Sequence, residues 1–591
     1  MFNIDFEPIG RRGQCKADQS LLESARQLNV DIVSLCGGIG SCDHCKIQVI
    51  AGKVSKPTLE EEAELSPREL EQGYRLACQT YPLSDVKVHV PPESLTAPQR
   101  TQVEGLEVDV APEHLLRALE VQLAAPTLDS PTPDDVNLVT ALGLLAGSLD
   151  FRLQQDLSQQ LRDLNWHISV ALRGDEIVAV AAPGAQWAGL AVDIGTTKIA
   201  AYLVDMTTGK TLASKGLMNP QISYGEDVIS RIVAASKSPE QASKLQALLI
   251  DALNQLAADL CTEAGLSIKN IVEAVVVGNT AIHHLFLRLP VKQLGLAPYV
   301  PATCAAVDIK ACEIGLSLAP GAYLHMLPNI AGYVGADHVA MLLATRIAEA
   351  EETTLAIDIG TNTEICLNHQ GRLTSVSCAS GPAFEGAHIK FGMRASPGAI
   401  EHVRLDSDRL EIQTIGSLAP VGVCGSGLLD VVAQMRLNDI LDKSGRMGEH
   451  PLVRKGTVAE FILAVRPGQE PITISQKDVR ELQLAKAAIR TGIQALVLAE
   501  GLTENDIQRV IIAGAFGTFI DIGSAITIGM LPDLPLGRFT QVGNAAGTGA
   551  RLALISTAQR AKAAEIARRD GYIELASVPN FQRKFAEATY L

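Results

Sequence analysis

A chain of 591 residues exceeds what one hydrophobic core can organise, so several domains are expected. With 47% hydrophobic and 20% charged residues it reads as globular rather than disordered, and a net charge of −16 excludes the basic face that nucleic acid requires. The opening MFNIDFEPIGRRG lacks the basic-then-apolar order of a secretory signal, and no window carries the ~18 uncharged apolar residues of a membrane span. The expectation is a cytoplasmic protein, with no membrane contact and with thiols kept reduced.

Taken in chain order, FNIDFEP and QCKADQ predict a first hairpin turning at residues 11–13, and SLLESARQLNV a short amphipathic helix. SLCGGIGSCDHCKIQV follows at residues 34–49, with Cys36, Cys42 and Cys45 spaced C-x5-C-x2-C, and GYRLACQT supplies Cys78. Four thiolates in a three-plus-one pattern suit two iron atoms. The loop is one residue longer than the plant-type C-x4-C-x2-C…C spacing. Gly37, Gly38 and Gly40 let the backbone wrap a cluster whose sulfides accept N–H bonds. Zinc is the rival, but structural zinc sites arrive as two short pairs and Cys78 has no close cysteine partner. KIQVIAGKV and DVKVHVPP complete the strand order of a β-grasp ferredoxin over residues 1–93. Cys15 lies outside the ligand pattern and reads as a buried strand residue.

A polar stretch at residues 94–107 suits a linker. Residues 108–185 predict a small α/β unit, with helices on both sides of a proline-rich turn (residues 113–148), then a strand pair in HISVALRGDEIVAVAAPG. No chemistry is legible there, and a spacer or docking role is expected.

From residue 186 to 591 apolar strands end in Gly-Thr turns. GLAVDIGTTKIAAYLVDMTTGKTLAS and TLAIDIGTNTEICLNHQGRLTSVS each read as strand, D-I-G-T turn, strand, glycine turn, strand. A repeat of this length predicts two related halves facing a cleft. Asp193 and Asp358, at strand ends, are the candidate catalytic carboxylates, able to hold water on Mg²⁺. Gly195, Thr196, Thr197 and Lys198 in one turn, and Gly360, Thr361 and Asn362 in the other, offer hydroxyls and backbone N–H groups to the phosphates of ATP. TGKT at residues 208–211 is not a P-loop, because Val204 stands where the first glycine is needed.

VEAVVVGNTAIHHLFL predicts a buried strand, a Gly278-Asn279 turn and a helix, with His283 and His284 packing or capping it. VIIAGAFGTFI ends in Gly514, Ala515, Phe516 and Gly517, a turn suited to lie against adenine, and GNAAGTGARLAL starts a helix of small residues. Cys424 in VGVCGSGLLD reads as a buried thiol. This order resembles the actin, sugar-kinase and heat-shock-ATPase superfamily.

A 2Fe–2S ferredoxin joined to such an ATPase resembles the reductive activators of corrinoid-dependent enzymes. The likeness runs along the whole chain and includes NPQISYGEDVISRI, ASGPAFEGAHI and the closing GYIELASVPNFQRKFAEATYL. It implies a multidomain α/β protein of one-carbon metabolism with a 2Fe–2S cluster, ATP and Mg²⁺ as cofactors. The protein would pass one electron to the Co(II) corrinoid of a methyl-transfer protein and restore Co(I). An upstream low-potential electron donor is implied as a partner, and a homodimer is left open. The additional C-terminal cluster motifs of some relatives are absent from this sequence. Ser380, in CASGPAFEG, has two readings: a hydroxyl capping a turn, or a contact to the partner's corrinoid near cobalt. The alternative function is a redox-regulated small-molecule kinase of the same superfamily, and a third is a chaperone-like ATPase.

Overall fold

The computed structural model describes residues 1–591 except 8–10, 29, 31, 33–38, 41–44, 92–93, 95–111, 114–115, 146–147, 226, 387, 407–408 and 515. Cys36, Cys42, Ala515, Gly37, Gly38 and nearly all of the expected linker lie outside the described residues.

The N-terminal unit is a five-stranded sheet in the order Arg11–Cys15, Phe2–Glu7, Val86–His89, Lys46–Ala51, Tyr74–Leu76. Alternation along Phe2–Glu7 sends Ile4 and Phe6 inward, against Leu21, Leu22 and Ala25 of the helix Leu21–Gln27. That helix starts at a capping box, Ser20 accepting from Glu23 N while the Glu23 carboxylate accepts from Ser20 N. Residues 11–13 do not form the expected turn: Arg11 and Gly13 pair with Phe6 and Ile4 in the second strand. Cys15 is buried in this core, as its place in a strand implies.

The middle unit differs from its expected helical start. Leu116–Gln122 is a strand, paired antiparallel over all seven residues with His167–Arg173, which in turn pairs with Glu176–Ala181. Its residues favour a helix when taken alone, but this partner satisfies their backbone groups in an extended form, and pairing overrides local propensity. The helices Asp134–Ala141 and Phe151–Asp163 close the unit, the second burying Leu153, Leu157 and Leu161 along one face.

The two large sheets share one plan. In the first, the hairpin strands Ala188–Ile194, Lys198–Asp205 and Thr211–Met218 are followed by Ile271–Gly278 and Tyr323–Met326, in spatial order third, second, first, fourth, fifth. In the second, Thr354–Ile359, Thr363–His369, Arg372–Cys378, Arg509–Ala513 and Phe539–Gly543 repeat that order. Helices cover both faces, which is why all of Ile271–Gly278 is buried and reads as an unbroken apolar run. The strands Val307–Lys310 and Gly571–Tyr572 extend the edges.

The halves are locked where the helix Ala545–Ile555 crosses the helix Ala336–Thr345. A Cβ at Gly549 would lie 2.0 Å from the Ala340 carbonyl oxygen, so only glycine permits this approach. The ferredoxin unit sits on the second half: Arg11 donates from Nη1 to Gly392 O at 3.1 Å and from Nη2 to Val421 O at 2.8 Å. On its other flank His89 Nδ1 lies 2.7 Å from Ser223 Oγ.

Candidate functional site

Both D-I-G-T hairpins point their turns into one cleft between the halves. Asp193, Gly195, Thr196, Thr197 and Lys198 line it from one side, and Asp358, Gly360, Thr361 and Asn362 from the other. The first turn has four residues between the paired Ile194 and Ile199, and the second has three between Ile359 and Thr363. Thr197 Oγ1 and Thr361 Oγ1 meet across the gap at 3.2 Å. The TGKT run is the reverse turn at the far end of the first hairpin, where the Asp205 carboxylate accepts from Thr207 N and Thr208 N.

The segment NPQISYGEDVISRI braces the first turn from behind. Asn219 Nδ2 donates to Gly195 O and Asn219 N to Thr197 O, both at 2.8 Å. Arg231, fully buried, donates to Thr196 O and to Gly225 O. Asn279 caps the helix Thr280–Phe286 through Ile282 N and donates to Thr196 Oγ1 at 3.1 Å. His283 and His284 are buried in that helix, with His284 Nδ1 2.7 Å from Thr280 O, away from the cleft lining.

Among the acids that line the cleft, four raise one another's affinity for protons: Asp193, Asp337, Asp358 and Glu364. Burial, with Asp337 and Asp358 nearby, pushes Asp193 up to about 8, against an Asn544 hydrogen bond that lowers it. Burial and Asp337 push Asp358 up to about 7, and burial pushes Asp337 up to about 6. Glu364 is raised well above the usual carboxylate range by burial, Asp337 and Asp358. Crowded acids of this kind either keep protons or face a cation, and an all-oxygen donor set suits a hard divalent one. Sequence reasoning missed two of the four. Glu364 was within reach, because the short second turn places it directly across from Asp358. Asp337 opens a helix distant in sequence from either hairpin and carries no local signal.

The expected adenine turn follows Arg509–Ala513. Gly514 has φ +91°, and a Cβ there would lie 2.6 Å from both Asp358 Oδ1 and Ile359 O, so this turn presses onto the second D-I-G-T hairpin. Phe516 lines the cleft and stacks on Phe384 with ring centroids 4.7 Å apart. Gly517 turns back onto its own strand, where a Cβ would lie 2.3 Å from Ala513 O. Cys424 is buried, and with Gly425 and Ser426 it lines the same cleft.

Ser380 does not line the cleft. The residue is 4% exposed, and its hydroxyl lies 2.9 Å from Thr363 Oγ1 and reaches Gly360 O and Thr361 O at 3.3 Å. In this conformation it braces the second D-I-G-T turn from behind.

In the ferredoxin unit, Cys45 and Cys78 are buried with their sulfurs 3.5 Å apart. Two thiolates sharing one tetrahedral metal at about 2.3 Å are separated by roughly 3.8 Å, so the pair fits joint ligation. Gly40 has φ +90°, as a loop wrapping a cluster demands.

An actin-like ATPase carrying an iron–sulfur ferredoxin is the class that this fold and cleft define. Residues 4–83 match the 2Fe-2S iron-sulfur cluster binding domain, and residues 105–186 the RACo linker region. Residues 188–350 match the RACo middle region, and 352–591 the C-terminal domain of RACo, the ASKHA domain. Over 407 residues the chain is 38% identical to the corrinoid activation enzyme RamQ of Eubacterium limosum, spanning 66% of this chain and 68% of RamQ. It is 25% identical over 412 residues to a [Co(II) methylated amine-specific corrinoid protein] reductase of Methanosarcina barkeri, spanning 64% of this chain and 72% of that one. A solved reductive activator for corrinoid, iron-sulfur protein superposes with a TM-score of 0.73 at 35% identity, covering all of this chain and 98% of the other. The chain belongs to the family of reductive activators of corrinoid proteins.

Proposed function

We propose that this protein uses ATP to pass one electron from a 2Fe–2S cluster to the Co(II) corrinoid of a methyl-transfer protein, restoring Co(I). The observation that carries the reading is the seating of a cysteine-bearing ferredoxin unit on the wall of a two-hairpin nucleotide cleft, within one chain. When bound by Cys36, Cys42, Cys45 and Cys78, the cluster supplies the single electron. Hydroxyls of Thr196, Thr197 and Thr361, with the turn amides, bind the phosphates. Asp193, Asp337, Asp358 and Glu364 would hold Mg²⁺, which would supply charge neutralisation for the phosphates, and Gly514 and Phe516 line the part of the cleft open to the adenine.

The need for ATP is energetic. Plant-type clusters lie near about −400 mV, and the family's cobalt step lies lower. A gap on the order of 100–200 mV makes one-electron transfer uphill by about 2–5 kcal/mol. Nucleotide offsets this if it shifts the cleft between closures that differ in affinity for the Co(II) and Co(I) partner.

The test mixes reduced protein with a Co(II) corrinoid protein anaerobically and follows the Co(I) band. Little Co(I) is expected until Mg-ATP is added, and the Co(II) partner should accelerate hydrolysis in return. Equal Co(I) formation without nucleotide across several corrinoid partners would end this reading. Phosphorylation of a small metabolite would promote the kinase.

A further inference from the structure

Glu385 stands where the two phosphate turns meet. Its carboxylate accepts hydrogen bonds from Thr197 Oγ1, at 2.6 Å, and from Thr361 Oγ1. Behind it lies Arg394, with Nε 3.8 Å from Glu385 Oε2 and Nη1 donating to Glu7 Oε2 at 3.3 Å. Glu7 is the last residue of the ferredoxin strand Phe2–Glu7, and its side chain is fully buried. Its other oxygen has Arg12 Nη2 at 3.8 Å. An unbroken chain of charged contacts therefore runs from the hydroxyls that meet phosphate to the seat of the electron-carrying unit. Each threonine hydroxyl has one proton and both are given to Glu385, so a phosphate oxygen that takes either must displace the carboxylate.

We propose that Glu385 and Arg394 form the coupling latch by which nucleotide in the cleft loosens the seat of the ferredoxin unit. The inference rests on the nucleotide reading of the cleft given above. Phosphate oxygens and the Glu385 carboxylate compete for the same two hydroxyls and repel each other at contact distance. Arriving phosphates expel Glu385 and draw Arg394 toward their larger negative charge. Glu7 then keeps a buried charge without its Arg394 partner, which is costly, and the ferredoxin seat weakens. The unit, still tethered, is freed to present its cluster to a donor or to the corrinoid partner. Linkage requires the converse: weakening the seat tightens nucleotide binding.

The experiment uses the full-length, cluster-loaded chain and the non-hydrolysable analogue Mg-AMPPNP. Calorimetry measures binding, and hydrogen–deuterium exchange follows the seat at residues 2–7, 11–15 and 389–394. Saturating analogue should raise exchange in these segments roughly fivefold or more in the wild type. Arg394→Ala should show the raised exchange without analogue, and Arg394→Lys, which keeps the charge and most of the packing, an intermediate level. Glu385→Gln, with similar volume and no charge, should bind the analogue roughly fivefold tighter. Glu7→Gln should likewise raise exchange and tighten binding. Measurable analogue binding with unchanged exchange and an unchanged Glu385→Gln affinity overturns the latch and leaves the nucleotide reading standing. Absence of any analogue binding overturns both.

Discussion

Asp193 and Asp358 are costly residues where they lie, because burial and neighbouring carboxylates have raised both out of the ordinary carboxylate range. A cation that offsets this cost contributes most when the hydrolytic water is polarised. Asp193→Asn and Asp358→Asn should each lower ATP turnover about a hundredfold or more, while the visible cluster spectrum stays unchanged. Near-normal turnover in both variants would move the metal site elsewhere. Ser380 belongs to the same scale. Its hydroxyl ties Thr363 to the carbonyls of Gly360 and Thr361, and removing it loosens the turn by about 1 kcal/mol. Ser380→Ala should therefore lower partner-free hydrolysis and corrinoid reduction together, by a few-fold. A loss confined to corrinoid reduction would instead put the hydroxyl at the partner's cobalt.

At the scale of elements, the crossing of the helices Ala336–Thr345 and Ala545–Ile555 is the lock between the two halves. Because the atom facing Gly549 is a backbone oxygen, no rotamer change can relieve an added methyl. Gly549→Ala should destabilise the ATPase by about 1–3 kcal/mol, read as a lower urea midpoint with an unchanged slope. An unchanged midpoint would mean the helices slide freely. The strand Leu116–Gln122 carries the opposite lesson. Leucine, alanine, glutamate and glutamine favour a helix, and only the ladder offered by His167–Arg173 turns them into an edge strand.

Across the whole molecule the ferredoxin and the ATPase are separately folded units joined by a polar seat. Cys42→Ser should bleach the cluster absorption and stop electron transfer while basal ATP hydrolysis survives. Loss of hydrolysis in a folded variant would show that the ATPase needs the cluster. The seat is also sensitive to acid. Burial of His89 lowers it to about 4 in the docked form, against about 6.5 when exposed. The undocked form takes up a proton that the docked form refuses, so docking gains stability as pH rises through this window. The contribution is present above pH ~6.5 and lost progressively as pH falls toward ~4. Interdomain cross-linking should fall between pH ~7 and ~5, and His89→Gln should flatten that dependence. A wild-type profile already flat there would remove His89 from the seat.

Local chemistry was legible without coordinates. The 2Fe–2S class of the N-terminal unit, the paired D-I-G-T hairpins and the order of the strands within each hairpin depend on short stretches of chain. Turn geometry and side-chain period act over such short spans, so the residue types reveal them. The tertiary structure alone decided which distant groups complete the site. Thr197 and Glu385 are 188 positions apart, and Glu7 and Arg394 are 387 apart. Asp337 joins the other three carboxylates only because its helix begins at the cleft. Contacts at such separations arise from how sheets stack and domains seat, and no periodicity in the chain encodes them.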